Sequence, residues 1–182
     1  MKIQNQDFII PEMTPELKRG PKWLQDKRTA SKKSYNNTPI PRRGLHLWRY
    51  TDPTKFVVDK AQVTDAVFRD NFDEVIKSEL ALFKDGHSSA FVLDKAGRDI
   101  AFHINDKLTA DGIIISKLSD AVESHFDIVN KHLYAQVNSN TGKFEAMNSA
   151  LWNDGIFIYI PDGKSVEKPI HLLRESGLDN SA

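Results

Sequence analysis

The sequence predicts an α+β fold, because segments with helical spacing alternate with segments that have the length and composition of strands. Two apolar runs, 90–94 and 99–104, flank a short loop with a late glycine, which is typical of a β-hairpin. The run 156–160 is rich in β-branched and aromatic residues and too short for an independent helix, so it indicates a buried strand. It follows a segment, 144–151, whose apolar residues recur at the spacing of one helix face.

The N-terminal part is predicted to hold a surface helix. Residues 1–20 contain prolines and few apolar residues, so we expect a mobile or clamped tail. Pro21 suits the first position of a basic helix over 22–36. The few apolar residues of that helix are Trp23, Leu24 and Ala30. The prolines and the glycine of 38–44 then indicate a loop.

The middle of the chain is predicted to contain two amphipathic helices and one further strand. The first helix, over 72–83, would bury an apolar stripe. That stripe consists of Phe72, Val75, Ile76, Leu80 and Phe83. The run 113–115 indicates a strand, and Ser119 suits the N-cap of a second helix over 120–132. The inward residues of the second helix would be Ala121, Val122, Phe126 and Val129.

The last quarter is predicted to run from a helix through a turn to two strands. The buried face of the helix would consist of Phe144, Met147, Asn148 and Leu151. Gly155 would end that helix, since glycine adopts the left-handed conformation without steric penalty. After the strand 156–160, the turn 161–163 leads to an extended segment, 166–172, in which Pro169 suits an edge or a strand start.

Three stretches carry short motifs in a fixed order. The first is Leu47-Trp48-Arg49-Tyr50-Thr51-Asp52, and the second is 111–118 followed by Ala121. The third comprises Phe144, Asn148, Ala150, Asp154-Gly155, Ile160-Pro161, Gly163 and Pro169-Ile170-His171-Leu172. In this order, from about Trp23 to Leu172, the chain resembles the SufB/SufD family, the scaffold subunits of SUF iron–sulfur cluster assembly.

The resemblance implies that the C-terminal strands begin a right-handed β-helix, so the chain would be a truncated, SufD-like N-terminal portion. It divides the chain into a basic N-terminal arm and helix (1–50), an α+β body (51–140) and an incomplete entry to the β-helix core domain (141–182). A SufD-like identity is favoured because a basic helix with W-R-Y-T-D opens the chain without an N-terminal cysteine motif. A SufB-like identity stays open.

The resemblance further implies a non-enzymatic component of the scaffold, acting in complex formation rather than in cluster ligation. Its expected partners are SufB-like and SufC-like subunits of a SUF complex. The iron–sulfur cluster would belong to the full assembly, with no cofactor in this chain. Self-association through 156–172 is also expected, because a β-helix rung without a neighbour exposes its edge and its apolar face.

Composition limits the chemistry. The chain has 182 residues and no cysteine, which excludes disulfides, thiolate zinc sites and cysteine-ligated clusters within it. No apolar run approaches the roughly 18 residues that a membrane-spanning helix needs. The first ten residues lack the basic and apolar regions of a secretory signal. We therefore expect a cytoplasmic protein without a membrane partner.

Charge is unevenly distributed although the formal net charge is zero. Residues 1–50 carry 11 basic and 4 acidic side chains, whereas 51–182 carry 14 and 21. This basic arm suggests, as an alternative function, a binding module for nucleic acid or an acidic partner. A solvated helix with a basic loop would give the same pattern. Nucleic acid is disfavoured because Trp23, Tyr35 and Trp48 are too far apart to form a base-stacking platform.

No catalytic, cofactor-binding or metal-binding residue is predicted. Gly163-Lys164-Ser165 lacks the glycine that a phosphate-binding loop needs five positions earlier, where Ile158 stands. His125 and His132 are seven residues apart, whereas helical metal pairs are four apart. A hydrolase with an unrecognised site would need a pocket with perturbed acids, and the sequence offers no support for it.

Trp48, Arg49 and Tyr50 are the predicted partner-binding residues. Their side chains bury large areas at low entropic cost, and these residue types are enriched among interface hot spots. The competing interpretation is that Trp48 and Tyr50 pin the basic helix to the rest of the chain.

Overall fold

The computed structural model describes residues 19–55, 72–95 and 99–175. Its helices are α1 (Lys22–Asn37), α2 (Phe72–Lys84), α3 (Asp106–Ala110), α4 (Leu118–Ser124), α5 (Phe126–His132) and α6 (Lys143–Leu151). Its strands are β1 (Ala90–Lys95), β2 (Asp99–Ile104), β3 (Ile114–Lys117), β4 (Ile156–Tyr159) and β5 (Ile170–Glu175). Single 3₁₀ turns occupy His46–Trp48 and Pro53–Lys55. Within these ranges no helix combines the length and the apolar character needed to cross a bilayer.

Contacts group these elements into two compact units. The helical unit contains α1, the two 3₁₀ turns, α5 and α6; the sheet unit contains α2, α3 and β1 to β5. The predicted α+β class is therefore confirmed. Residues 1–18 of the expected tail, the hairpin loop 96–98 and the side chains of Phe72 and Val75 lie outside the described structure. The three-segment division of the chain stays a prediction.

The helices α1 and α6 pack along each other through polar and small side chains. The buried positions of α1 are Leu24, Arg28, Ser31 and Tyr35, which are spaced to form one helix face. The hydroxyl oxygens of Ser31 and Ser149 lie 2.7 Å apart in this interface. The surface helix predicted around Trp23, Leu24 and Ala30 is therefore partly wrong. Ala30 is exposed, whereas an arginine and a serine are buried.

Each of the two helices has its C-terminal carbonyls bound by a cation from the other. Lys143 Nζ, at the start of α6, donates to the carbonyls of Tyr35 and Thr38 at 2.9 Å each. Arg28 of α1 donates to the carbonyls of Ala150 and Trp152, at 3.1 and 2.8 Å. A helix C-terminus has carbonyls without intrahelical partners and carries partial negative charge, so both contacts are favourable. The pattern also shows that the helices run antiparallel.

The buried face of α6 differs from the predicted one. Phe144, Met147 and Leu151 are only half-buried, and Asn148 is exposed. The fully buried positions of this helix are Lys143, Ala146, Ser149 and Ala150. Small residues occupy the contact with α1 because the two backbones approach closely there, and the larger apolar residues lie beside it.

Gly155 does not end α6. The helix ends at Leu151, where the next residue, Trp152, is already extended (φ −60°, ψ 135°). Among the described residues, the glycines with positive φ include Gly163 (76°) but not Gly155. Asp154 organises this connection instead, since its carboxylate accepts hydrogen bonds from the N–H groups of Gly155 and Ser119.

The predicted helix over 120–132 is two helices. They meet at His125, whose φ of −130° and ψ of 43° lie outside the helical region. Ser119 is inside α4 and donates its hydroxyl proton to Asp154 at 2.8 Å, so it is not the predicted N-cap. Val122 and Val129 are buried as expected, but Phe126 is 44% exposed and meets the edge of Trp23.

The sheet unit contains a three-stranded sheet and a separate two-stranded sheet. In the first, the order is β2-β1-β5, with the predicted hairpin β1–β2 antiparallel and β5 parallel to β1. In the second, β3 pairs antiparallel with β4. The expectation that 156–160 and 166–172 form one sheet is therefore wrong. Ile158 and Ile160 are each 42% exposed, so the segment 156–160 is also not fully buried.

Both faces of β1 are covered, which explains its continuous apolar run. Ala90 and Val92 face one cluster, together with Ile100, Leu108, Ile113 and Ile115. Phe91 and Leu93 face the other, against Ile76, Leu80 and Phe83 of α2. The described part of the predicted α2 stripe is thus confirmed.

One carboxylate is buried in this sheet. Asp94 of β1 is fully buried, and its register partner on β5 is Arg174. The Nε and Nη2 atoms of Arg174 both lie 2.6 Å from Asp94 Oδ2. Since a buried carboxylate is costly without a partner, this pair favours the observed pairing of β1 with β5.

Candidate interaction surface

A loop with few regular elements follows α1. Pro39 and Pro41 cannot donate the backbone hydrogen bonds that a continuing helix would need. The chain next forms the 3₁₀ turn His46–Trp48, in which the N–H of Trp48 donates to the carbonyl of Leu45. Residues 38–50 therefore present their side chains from turns.

Trp48 attaches this loop to α6. It is half-buried, and its ring centroid lies 5.2 Å from that of Phe144, with the planes tilted by 33°. Phe144 in turn packs against the buried pair Tyr35 and Ala146. The interpretation that Trp48 anchors its own segment is therefore supported within the helical unit.

Arg49 and Tyr50 face solvent. Tyr50 is 90% exposed, and the guanidinium of Arg49 lies 5.8 Å from its ring centroid. The apolar neighbours Leu45 and Leu47 are 55% and 87% exposed. Tyr50 therefore does not pin the loop. Partner binding by Trp48, Arg49 and Tyr50 stays a prediction, now with one residue anchored and two available.

Asp52 has a local structural role. Its Oδ1 accepts hydrogen bonds from the N–H and the hydroxyl of Thr54, at 3.1 and 2.6 Å, just before the second 3₁₀ turn. These hydrogen bonds lower the pKa of the Asp52 carboxyl, with a smaller contribution from Arg43. This aspartate therefore shapes the segment that carries the exposed groups.

A cleft lies beside this loop within the helical unit. Its volume is about 690 Å³, and residues from 38–48 form one side while residues from 141–145 form the other. Ile40 and Trp48 contribute half-buried apolar surface to it. The cleft is therefore large enough to accept several side chains of another molecule.

Exposed cations surround the cleft. Arg42, Arg43 and Arg49 are exposed, and within the described ranges no carboxylate lies within ion-pair distance of them. Residues 38–51 contain no acidic side chain. Glu145 is the carboxylate that lines the cleft, and it stands in the first turn of α6, where the helix N-terminus favours a negative charge.

Sequence reasoning missed the residues that position this surface. Burial lowers the pKa of Lys143, which lies at the base of the cleft and also stacks over the Tyr35 ring at 4.0 Å. Arg28 stacks over the Trp152 ring at 4.4 Å. A lysine one residue after a glycine and an arginine on a basic helix give no sign of burial, because their acceptors lie on a distant segment.

A second cavity, of about 200 Å³, lies in the sheet unit. Its charged groups are already paired, with Lys107 Nζ 2.9 Å from Glu167 and Lys164 Nζ 2.7 Å from Asp111. The hydrogen bond between Lys107 and Glu167 raises the pKa of the lysine and lowers that of the glutamate. This cavity therefore offers less unbalanced charge to a ligand than the cleft.

The histidines do not assemble into a metal centre in the part of the chain that the structure describes, where no group of three or more potential His or carboxylate ligands occurs. His125 is half-buried at the break between α4 and α5, and His132 is exposed at the end of α5. They are therefore not two residues of one helix, as their spacing had suggested.

Comparison with protein families places these features in context. A family model described as "SufBD protein N-terminal region" matches residues 16–172. This range includes both units and the loop that carries Trp48.

Three curated proteins illustrate the similarity. The iron–sulfur cluster assembly protein SufB of Bacillus subtilis (strain 168) is 29% identical over 170 residues, which is 88% of this chain and 36% of that protein. An iron–sulfur cluster assembly SufBD family protein of Staphylococcus aureus (strain USA300) is 28% identical over 172 residues, covering 89% and 36%. One of Mycobacterium tuberculosis (strain H37Rv) is 25% identical over 169 residues, covering 90% and 20%. The chain thus spans about a third or less of these relatives.

Proposed function

Because the chain belongs to the SufB/SufD family, we propose that it is a non-enzymatic component of the SUF iron–sulfur cluster assembly scaffold that acts in complex formation. The observation that carries this proposal is the family match over residues 16–172, together with relatives named for iron–sulfur cluster assembly. The proposed partners are SufB-like and SufC-like subunits, and the proposed location is the cytoplasm.

We propose that this chain does not itself ligate the cluster. It has no cysteine to supply the thiolates that usually hold iron–sulfur clusters. Anaerobic reconstitution with iron and sulfide should therefore leave the purified chain colourless and without stoichiometric iron. A charge-transfer absorption band with bound iron would contradict this part of the proposal.

We also propose that β5 begins the right-handed β-helix that the family resemblance implies. A β-helix stacks its strands in parallel, and β5 is parallel to β1. Leu172 is 54% exposed on this edge strand, which would favour a further strand or a second copy of the chain. Light scattering of the wild type and Ile158→Lys across a dilution series tests the self-association proposed for 156–172; equal monomeric masses would contradict it.

The alternative, a nucleic-acid module that uses the basic N-terminal arm, has less support. Several cations of α1 bind groups of the protein itself: Lys22 pairs with Asp26, Lys27 donates to the carbonyl of Leu133, and Arg28 is buried. Fewer of them are therefore available to phosphates than the sequence suggests.

Genetic replacement tests the main proposal. In the organism that encodes the chain, its deletion should lower the activity of iron–sulfur enzymes such as aconitase, and a tagged copy should co-purify with SufB-like and SufC-like proteins. Normal aconitase activity after deletion, with no such co-purification, would overturn the proposal. A cysteine-free copy is the native protein here, so cluster transfer from the tag preparation needs no correction for ligation by this chain.

A further inference from the structure

We propose that the cleft between residues 38–48 and 141–145 receives an acidic, amphipathic segment of a partner protein. This inference rests on the proposed role in complex formation and specifies the chemistry of the partner. Three observations carry it: exposed apolar groups, unpaired exposed cations and a concave shape.

The apolar part suits protein side chains. Leu47 and Tyr50 are 87% and 90% exposed, which leaves most of their apolar surface in water. Ile40 and Trp48 add half-buried apolar surface inside the cleft. Burying such groups against another protein is favourable by about 25 cal/mol per Å² of apolar area. A segment with aliphatic or aromatic side chains would therefore gain from docking here.

The charged part selects an acidic segment. The exposed residues Arg42, Arg43 and Arg49 are close in the chain to the exposed leucines, and residues 38–51 include no acid. Arg42 and His46 line the cleft itself. Carboxylates on either side of the inserted apolar residues would find complementary charge, which favours encounter and orientation.

The same features argue against other polyanions. A bilayer surface is flat on this scale and has no protrusion to fill a cleft of about 690 Å³. Single-stranded nucleic acid needs several exposed aromatic rings, but Trp48 is packed against Phe144, which leaves Tyr50 as the exposed ring of this loop. Exposed leucines also add nothing to phosphate binding.

Site-specific photo-cross-linking tests the inference in the full chain. p-Benzoylphenylalanine is placed at Leu47, and at Leu82 as a control, since Leu82 is also exposed but lies on α2 in the sheet unit. Irradiation in cells should join position 47 to a protein, and mass spectrometry should place the cross-link in a peptide rich in Asp and Glu. The yield should fall about tenfold with Arg42→Glu plus Arg49→Glu and should decrease with added salt.

Several results would overturn the inference. These are a nucleic-acid or lipid adduct, a cross-linked peptide without an acidic cluster, the same adduct at position 82, or a yield insensitive to the charge reversals. Thermal unfolding of the charge-reversed chain should match that of the wild type, because both arginines are exposed. Normal aconitase activity after deletion would overturn the scaffold proposal while leaving an acidic adduct at position 47 intact, so the two failures are distinguishable.

Discussion

The hydroxyl oxygens of Ser31 and Ser149 lie 2.7 Å apart, and both serines are 1% exposed. Ser31 also donates to the carbonyl of Lys27, at 2.8 Å, so Ser149 supplies the proton of the shared bond. Two small, mutually satisfied polar residues let the backbones of α1 and α6 approach closely. The cations that bind the helix ends then reach their carbonyl acceptors, and the Phe144 ring that supports Trp48 is held in place.

Enlarging this contact should destabilise the helix pair. We expect Ser31→Leu to lower the free energy of unfolding by about 1–3 kcal/mol, because added atoms force the helices apart and Ser149 loses its partner. Ala30→Leu is the matched control one residue earlier, on the exposed face, and should change it by less than about 0.5 kcal/mol. Urea denaturation measures both; equal effects would contradict the observed orientation of α1.

Removing the buried guanidinium should also be costly. Arg28→Met would leave the carbonyls of Ala150 and Trp152 without the donor that binds them. We expect a loss of about 1.5–3 kcal/mol, the range for hydrogen bonds to a charged group. Arg42→Met, at an exposed arginine, should cost less than about 0.5 kcal/mol. A neutral Arg28→Met would show that the carbonyls are satisfied in another way.

Trp48 and Tyr50 should differ in stability effects. We expect Trp48→Ala to cost about 1–2 kcal/mol, below the 3–5 kcal/mol typical of a fully buried tryptophan, because Trp48 is half-buried against Phe144. Tyr50→Ala should cost less than about 0.5 kcal/mol, since Tyr50 is 90% exposed. The urea midpoints and m-values of both variants measure this, and a larger loss for Tyr50→Ala would reverse the assignment.

Stability should fall at alkaline pH. Burial raises the pKa of both Tyr35 and Tyr134 to about 12, whereas a tyrosine in the unfolded chain titrates near 10. Between pH 10 and pH 12 the unfolded state therefore releases protons that the folded state retains, so the free energy of unfolding decreases as the pH rises. Below pH 10 both phenols are neutral in both states, and their contribution is fully present.

The double variant Tyr35→Phe/Tyr134→Phe isolates this effect. Its urea midpoint should fall less than that of the wild type between about pH 9 and pH 11. Burial lowers the pKa of Lys143, which acts in the opposite direction, but that lysine is present in both proteins. Parallel pH profiles would contradict the raised tyrosine pKa values.

The buried ion pair of the sheet should outweigh an exposed one. Arg174→Met would leave the fully buried Asp94 without its guanidinium partner. We expect a loss of about 2–3 kcal/mol, somewhat below the value for two buried charges because the Arg174 side chain is 59% exposed. Lys107→Met removes an exposed pair with Glu167 and should cost less than about 1 kcal/mol. Equal losses in thermal unfolding would contradict this ranking.

Much of the secondary structure could be predicted because its signals are local. The hairpin of β1 and β2 follows from two apolar runs and the loop between them, and α1 and α6 lie within one or two residues of the predicted ranges. The motif around Trp48 also pointed to the family. These features depend on neighbouring residues, which the sequence displays directly.

The tertiary structure alone decided which groups are buried and which strands pair. Arg28 is buried because acceptors 122 positions away, on α6, compensate its desolvation. A short apolar run such as 156–159 does not encode its partner, so β4 pairs with β3 while β5 joins β1, where Arg174 meets Asp94. The candidate surface follows the same rule: W-R-Y-T-D identifies the residues, but only the packing of Trp48 on Phe144 leaves Arg49 and Tyr50 exposed beside a cleft.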